Sequence, residues 1–157
     1  MPRVRTSAIH ISALNVVLQP HTPLKYVEML RLMANGKFDA KIRGDEALLL
    51  GSCRYLNKDN PMDGVRGELY KFLKLDAAEA WFNLRDMDEA TNEDVAELVI
   101  PEHLKPHFKR FQYIFYPKEH RFYFISGKPK HSLSPNLVKN FFLKIFSRPE
   151  FAEFGQL

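Results

Sequence analysis

Three stretches of the chain hold side chains able to move protons or grip anions. In "QPHTPLK", His21 directly precedes a Thr-Pro helix start and Lys25 follows within the first turn. Unpaired N–H groups and the positive dipole end make a helix start receptive to anions. A histidine there titrates near neutral pH and suits general acid–base work on a phosphodiester, while Lys25 would offset developing negative charge. The plainer reading of the same residues is a surface turn.

The second stretch, "KIRGDE", supplies Lys41 and Arg43 for phosphate contact and Asp45 and Glu46 as carboxylates that could hold a divalent cation if others converged. A loop of salt bridges is the alternative. The third is "FQYIFYPKEHRFYFI", in which nine Phe, Tyr and Ile side chains flank a polar turn carrying Lys118, His120 and Arg121. Rigid aromatic strands would hold that turn in place, and any exposed tyrosine among Tyr113, Tyr116 and Tyr123 could stack an unpaired base. Lys128 and Lys130 in "KPKH" add charge nearby; solvated loop residues are the alternative.

Acting together, these residues suit metal-independent RNA cleavage, in which a histidine deprotonates the 2′-hydroxyl and a lysine or arginine stabilises the charged phosphorane. The expected catalytic set is His21, Lys25 and His120. The expected nucleic-acid contacts are Lys41, Arg43, Lys118, Arg121, Lys128 and Lys130. No metal set and no cofactor is expected. "GELYK" brings Glu68 and Lys71 close in sequence, but their spacing matches no metal-nuclease motif, and Cys53 inside an apolar strand reads as an inert thiol. Phosphate-binding loops, dinucleotide fingerprints, zinc spacings and nucleophile elbows do not occur.

The elements that would position these groups follow from periodicity and turn chemistry. Ala8 to Leu18 reads as a strand. Thr22 as cap, Pro23 at the first helical position and Asn35-Gly36 as a stop bound an amphipathic helix with Tyr26, Val27, Met29, Leu30, Met33 and Ala34 on one face. "ALLLGSCRYL" and "VRGELYKFLKL" read as strands joined by the turn-rich "NKDNPMDG". An acidic segment from Asp76 to Pro106 follows, with "AWFNL" as a short strand and a short helix or loop after Thr91. Phe111 to Ile125 is a hairpin whose two apolar faces call for cover on both sides. Ser134 and Pro135 open a second amphipathic helix that Pro149 ends or kinks, and either Phe151 to Leu157 supplies an abbreviated final edge strand or the chain is a piece of a longer one.

This order predicts one α+β domain over residues 1–157, with a mainly antiparallel, ferredoxin-like split βαβ sheet, two packed helices and an acidic insertion. At 157 residues the chain is long enough to bury a substantial core. Its single cysteine excludes an internal disulfide and points to a reducing, cytoplasmic setting. No apolar run reaches the roughly 18 residues of a membrane span. Charge is blocked: residues 1–75 hold 12 basic and 7 acidic side chains, residues 76–99 hold 1 and 8, and residues 100–157 hold 10 and 4. Such segregation favours a polyanion partner on one face.

The segments "ALNVVLQPH", "KIRGDEALLLGS", "GELYKFLKLD", Trp81-Phe82, "IPEHLKPHFKRFQYIFYPKEHRFYF" and "LSPNLVKNFFLKIF" resemble a bacterial family known as domain of unknown function 4747. The resemblance spans nearly the whole chain and implies a phage-defence or mobile-element setting, but it assigns no catalytic residue. The expectation is therefore an RNA-binding defence protein, an endoribonuclease if it is an enzyme at all. The alternative is a non-catalytic interaction module, such as a sensor, an inhibitor, or a homodimeric or complex-forming subunit.

Overall fold

The computed structural model describes residues 8–20, 22–76, 79–127 and 133–155. Helix α1 (Pro23–Asn35) starts where Thr22, in extended conformation, accepts a hydrogen bond from the Lys25 N–H at 3.3 Å, and it buries Tyr26, Val27, Met29, Leu30 and Met33. Ser134 accepts likewise from the Leu137 N–H, and the helix it opens (α3, Pro135–Phe146) buries Leu137, Val138, Phe141, Phe142 and Ile145. The two helices lie on one face of a six-stranded sheet, α1 against the third strand and α3 against the second and first.

The sheet contains β1 (Ile11–Asn15), β2 (Asp39–Arg43), β3 (Glu46–Tyr55), β4 (Val65–Leu73), β7 (Lys109–Tyr116) and β8 (Arg121–Ile125). Their order is β1-β8-β7-β4-β3-β2, and every pairing is antiparallel. The mainly antiparallel α+β architecture is therefore present. A split βαβ unit, with the first strand inside the sheet beside a parallel neighbour, is not what the described residues form. Strands β1 and β2 lie at opposite edges, and α1 crosses the sheet between them. The reason is local: Gly44, at φ 51°, closes a tight β2–β3 turn, and β3 continues into β4 through a compact connection. Both sides of β3 are thus filled by its chain neighbours, and β1 pairs at the opposite edge, on β8.

Between β4 and β7 the acidic insertion forms a small ladder, β5 (Phe82–Asn83) with β6 (Asp88–Glu89), and a single-turn helix, α2 (Asn92–Ala96). Thr91 and Asp94 cap α2 reciprocally. The C-terminal stretch is a 3₁₀ turn, Pro149–Phe154, and not the expected edge strand. Phe151 and Phe154 stand three residues apart, which stacks them on one side of such a turn, and both rings enter the core. Phe151 meets Phe38 edge-on at 5.1 Å. At the centre of the core Phe122 is fully buried, stacked on Tyr113 at 4.8 Å and met edge-on by Phe142 at 5.1 Å. No helix of the described residues is long and apolar enough to cross a membrane.

Candidate nucleic-acid interface

With both helices on one face, the other face of the sheet is legible row by row from the strand register. One row crosses the sheet as Ala13, Tyr123, Ile114, Arg66 and Arg54. The next holds Ile11 opposite Ile125, and Glu68 between Gln112 and Ser52. At the β7–β8 end Asn15, Arg121 and Tyr116 complete the face. The first two of these rows, Ala13 apart, line an open groove of about 570 Å³. Tyr116 meets Tyr123, which lines it, edge-on at 6.1 Å. Arg54, Arg66 and Arg121 are exposed, and none forms an ion pair among the described residues. Glu68 is the one carboxylate in those rows. It accepts from the Tyr70 hydroxyl at 2.8 Å and lies 3.6 Å from Arg110 Nε. That hydrogen bond, with partial burial, pushes the Tyr70 phenol above its ordinary range.

Arg54 reaches this face because of a bulge. Strict alternation along β3 would put Ser52 and Arg54 on the helix side with Leu48 and Leu50. The register slips between Leu50, opposite Leu69, and Ser52, opposite Glu68, so every later side chain changes face. The bulge is held from the helix side. Tyr113 donates its hydroxyl hydrogen to the Ser52 carbonyl at 2.8 Å across Gly67, whose missing side chain makes room: a Cβ there would sit 1.9 Å from that carbonyl oxygen. Burial drives the Tyr113 phenol well above its ordinary range, and burial likewise raises the Cys53 thiol beside it.

The insertion covers the other end of the same face. Phe72 is buried there, Phe108 packs edge-on against Tyr70 at 5.3 Å, and Glu102, His103 and Lys105 come down beside Leu49 and Phe72. The second apolar side of the hairpin thus has no cover of its own in the described residues. Ile114, Tyr116, Tyr123 and Ile125 remain half-exposed above the insertion.

The residues singled out by sequence fall into separate places. His21, Lys128 and Lys130 lie outside the described residues. His120 is half-buried at φ 57°, packed on the Tyr26 ring at 5.3 Å, and its carbonyl accepts from the Val16 N–H. This contact brings the β7–β8 turn to the first turn of α1, which carries Lys25. Lys118 is paired with Asp63 at 3.3 Å, and hydrogen bonds from Asn57 and Lys118 hold that carboxyl below its ordinary range. Arg43 and Lys41 are elsewhere. Arg43 binds Glu46 at 2.8 Å, and Lys41 binds Asp45 at 2.8 Å, a hydrogen bond that raises the Lys41 ammonium. Arg43 ends β2 at the far end of the sheet from His120, three strand spacings or about 14 Å sideways and more than about 20 Å along the strands. A centre combining Arg43 with His120 is not assembled.

Glu68 and Lys71 are separated as well, because three residues apart on a strand they face opposite sides. Lys71 is buried on the helix side and bonds Glu46 at 2.7 Å. Of the expected contacts within the described residues, only Arg121 lies on the open face with the tyrosines. Arg54, Arg66 and Gln112 were missed, although the polar-apolar alternation of "VRGELY" was a readable signal for Arg66 and Glu68.

Across residues 7–157 the chain matches the family model described as Domain of unknown function (DUF4747). No curated protein and no solved structure matches it.

Proposed function

The chain belongs to the DUF4747 family across nearly its whole length, and on that premise we propose that it binds single-stranded RNA on the open face of its sheet. The observation that supports this reading is the row Tyr123, Ile114, Arg66, Arg54. Two arginines placed directly opposite each other repel, which disfavours the fold and favours an anion between them. Beside them stand a flat aromatic and an aliphatic surface on which an unpaired base can lie. Duplexes hide their base faces, so the geometry suits an unpaired strand. Within a phage-defence setting such a surface would recognise foreign transcripts. Binding without turnover is the reading proposed here, since Arg43 is engaged by Glu46 at the far end of the sheet from His120, and Lys118, in the same turn as that histidine, is paired with Asp63.

The test is fluorescence anisotropy of a labelled single-stranded RNA across a salt series. A steep fall of affinity with salt, reduced in Arg54→Gln and Arg66→Gln, supports the reading. Affinity that is absent or indifferent to both substitutions overturns it.

The second reading, a protein-interaction module, is favoured by the insertion itself. Phe82, Leu84, Met87 and Val99 are each more than half exposed on an otherwise acidic segment. A homodimer formed through this segment would be dissociated by Leu84→Asp with Val99→Asp in analytical ultracentrifugation; a wild-type monomer at high concentration rules it out.

A further inference from the structure

Glu68 is out of place on a phosphate-binding surface. A carboxylate among Arg54, Arg66 and Arg110 lowers the attraction for every phosphate, yet it stands mid-sheet, directly opposite Gln112 on one side and Ser52 on the other. Resting on the single-stranded RNA reading above, we propose that Glu68 and Gln112 read the Watson–Crick edge of one base and select guanine.

A base laid on Ile114 and Tyr123 turns its edge toward the adjacent row, one side-chain repeat along the strands, where Glu68 and Gln112 stand. An ionised carboxylate offers about four acceptor sites. Tyr70 uses one and Arg110 approaches another, leaving acceptors that face the groove. Guanine alone among the four RNA bases presents two adjacent donors on that edge, N1–H and the N2 amino group, with the O6 acceptor beside them. Glu68 accepts from both donors, and the Gln112 amide donates to O6. Adenine meets the same carboxylate with the N1 lone pair, cytosine with N3, and uracil offers one donor between two acceptors. Each of these leaves like partners facing each other, which is how a polar site rejects the wrong base. Tyr70 fixes the carboxylate, because its hydroxyl bond holds Glu68 in one rotamer against the strand.

The experiment compares wild type and Glu68→Gln in binding short labelled oligouridylates that differ only in one central guanosine, inosine or adenosine. Wild type is expected to prefer guanosine over adenosine by about tenfold or more, with inosine, which lacks the amino donor, between them. Glu68→Gln is expected to bring the three within about twofold, while its affinity for the adenosine strand stays equal or rises because a negative charge is gone. Circular dichroism checks that the variant is folded, and Gln112→Ala provides a second variant that is expected to lower the guanosine preference without abolishing binding. Equal binding of guanosine and adenosine strands by wild type, or a preference that survives Glu68→Gln, overturns the guanine assignment alone. Failure of wild type to bind any of the strands overturns both this assignment and the sheet-face reading beneath it.

Discussion

Replacing Arg66 by Gln should stabilise the fold while weakening RNA binding, an opposition that only a functional surface charge produces. Arg66 and Arg54 occupy directly opposed positions on β4 and β3, with Cβ atoms about 5 Å apart by strand geometry. For guanidinium groups about 6 Å apart in water, the Coulomb repulsion is about 0.7 kcal/mol, inside the range of about 0.2–1 kcal/mol found for cross-strand pairs. Glutamine keeps the length and most of the stem contact, so the change isolates the charge. Urea unfolding at low salt should show a gain of a few tenths to about 0.7 kcal/mol, shrinking as added salt screens the pair. The log-log salt slope of RNA binding should become shallower by about 0.7, the contribution of one phosphate on a single strand. A loss of about 1 kcal/mol or more with an unchanged salt slope would show that Arg66 is a structural residue, and the reasoning would be wrong.

Much of the frame that carries Arg66 was readable in the residues alone. Thr22-Pro23 and Ser134-Pro135 announced both helices, since a side-chain acceptor and a fixed φ at a helix start are local chemistry. The Phe111 to Ile125 hairpin was equally plain. The sheet order was not, because it depends on which distant edge remains free once β2, β3 and β4 have paired with their neighbours. Strand β2 was hidden in "DAKIR", where Asp39, Lys41 and Arg43 alternate with only Ala40 and Ile42 facing the core. Arg54 was beyond reach for a sharper reason. Its face is decided by a one-residue slip at Gly51, and a period-2 pattern carries no mark of where the period breaks. The C-terminal Phe151 and Phe154 were read with a strand's spacing, whereas Pro149 starts a turn that groups residues three apart.

The bulge and the buried ion pair give two further predictions. Gly67→Ala inserts a Cβ against the Ser52 carbonyl, so it should cost about 1–3 kcal/mol in chemical unfolding and also lower RNA affinity by turning Arg54 away from the groove. A destabilised variant that binds RNA normally would separate the bulge from the interface. Burial alone would raise the Glu46 carboxyl, but hydrogen bonds from Lys71 and Arg43 outweigh it and leave it below its ordinary value of 4.5. A depressed carboxylate contributes stability that is fully present above that value and is lost as pH falls through its lower folded value. Glu46→Gln should therefore flatten the acid limb of a stability-versus-pH curve, and Glu46→Ala, which strands the buried Lys71 ammonium, should cost about 3–5 kcal/mol at neutral pH. An unchanged acid limb in Glu46→Gln would place the acid sensitivity in other carboxylates.

The central claim is that the helix-free face of the sheet is where the nucleic acid lies. Amide and tyrosine-ring chemical shifts, followed by NMR while single-stranded RNA is titrated into the wild-type chain, test it most directly. The account predicts that the largest changes fall on Arg54, Arg66, Glu68, Gln112, Ile114, Tyr116 and Tyr123, with the helices little affected. Changes confined to the first turn of α1 and His120, or to the acidic insertion, would contradict it.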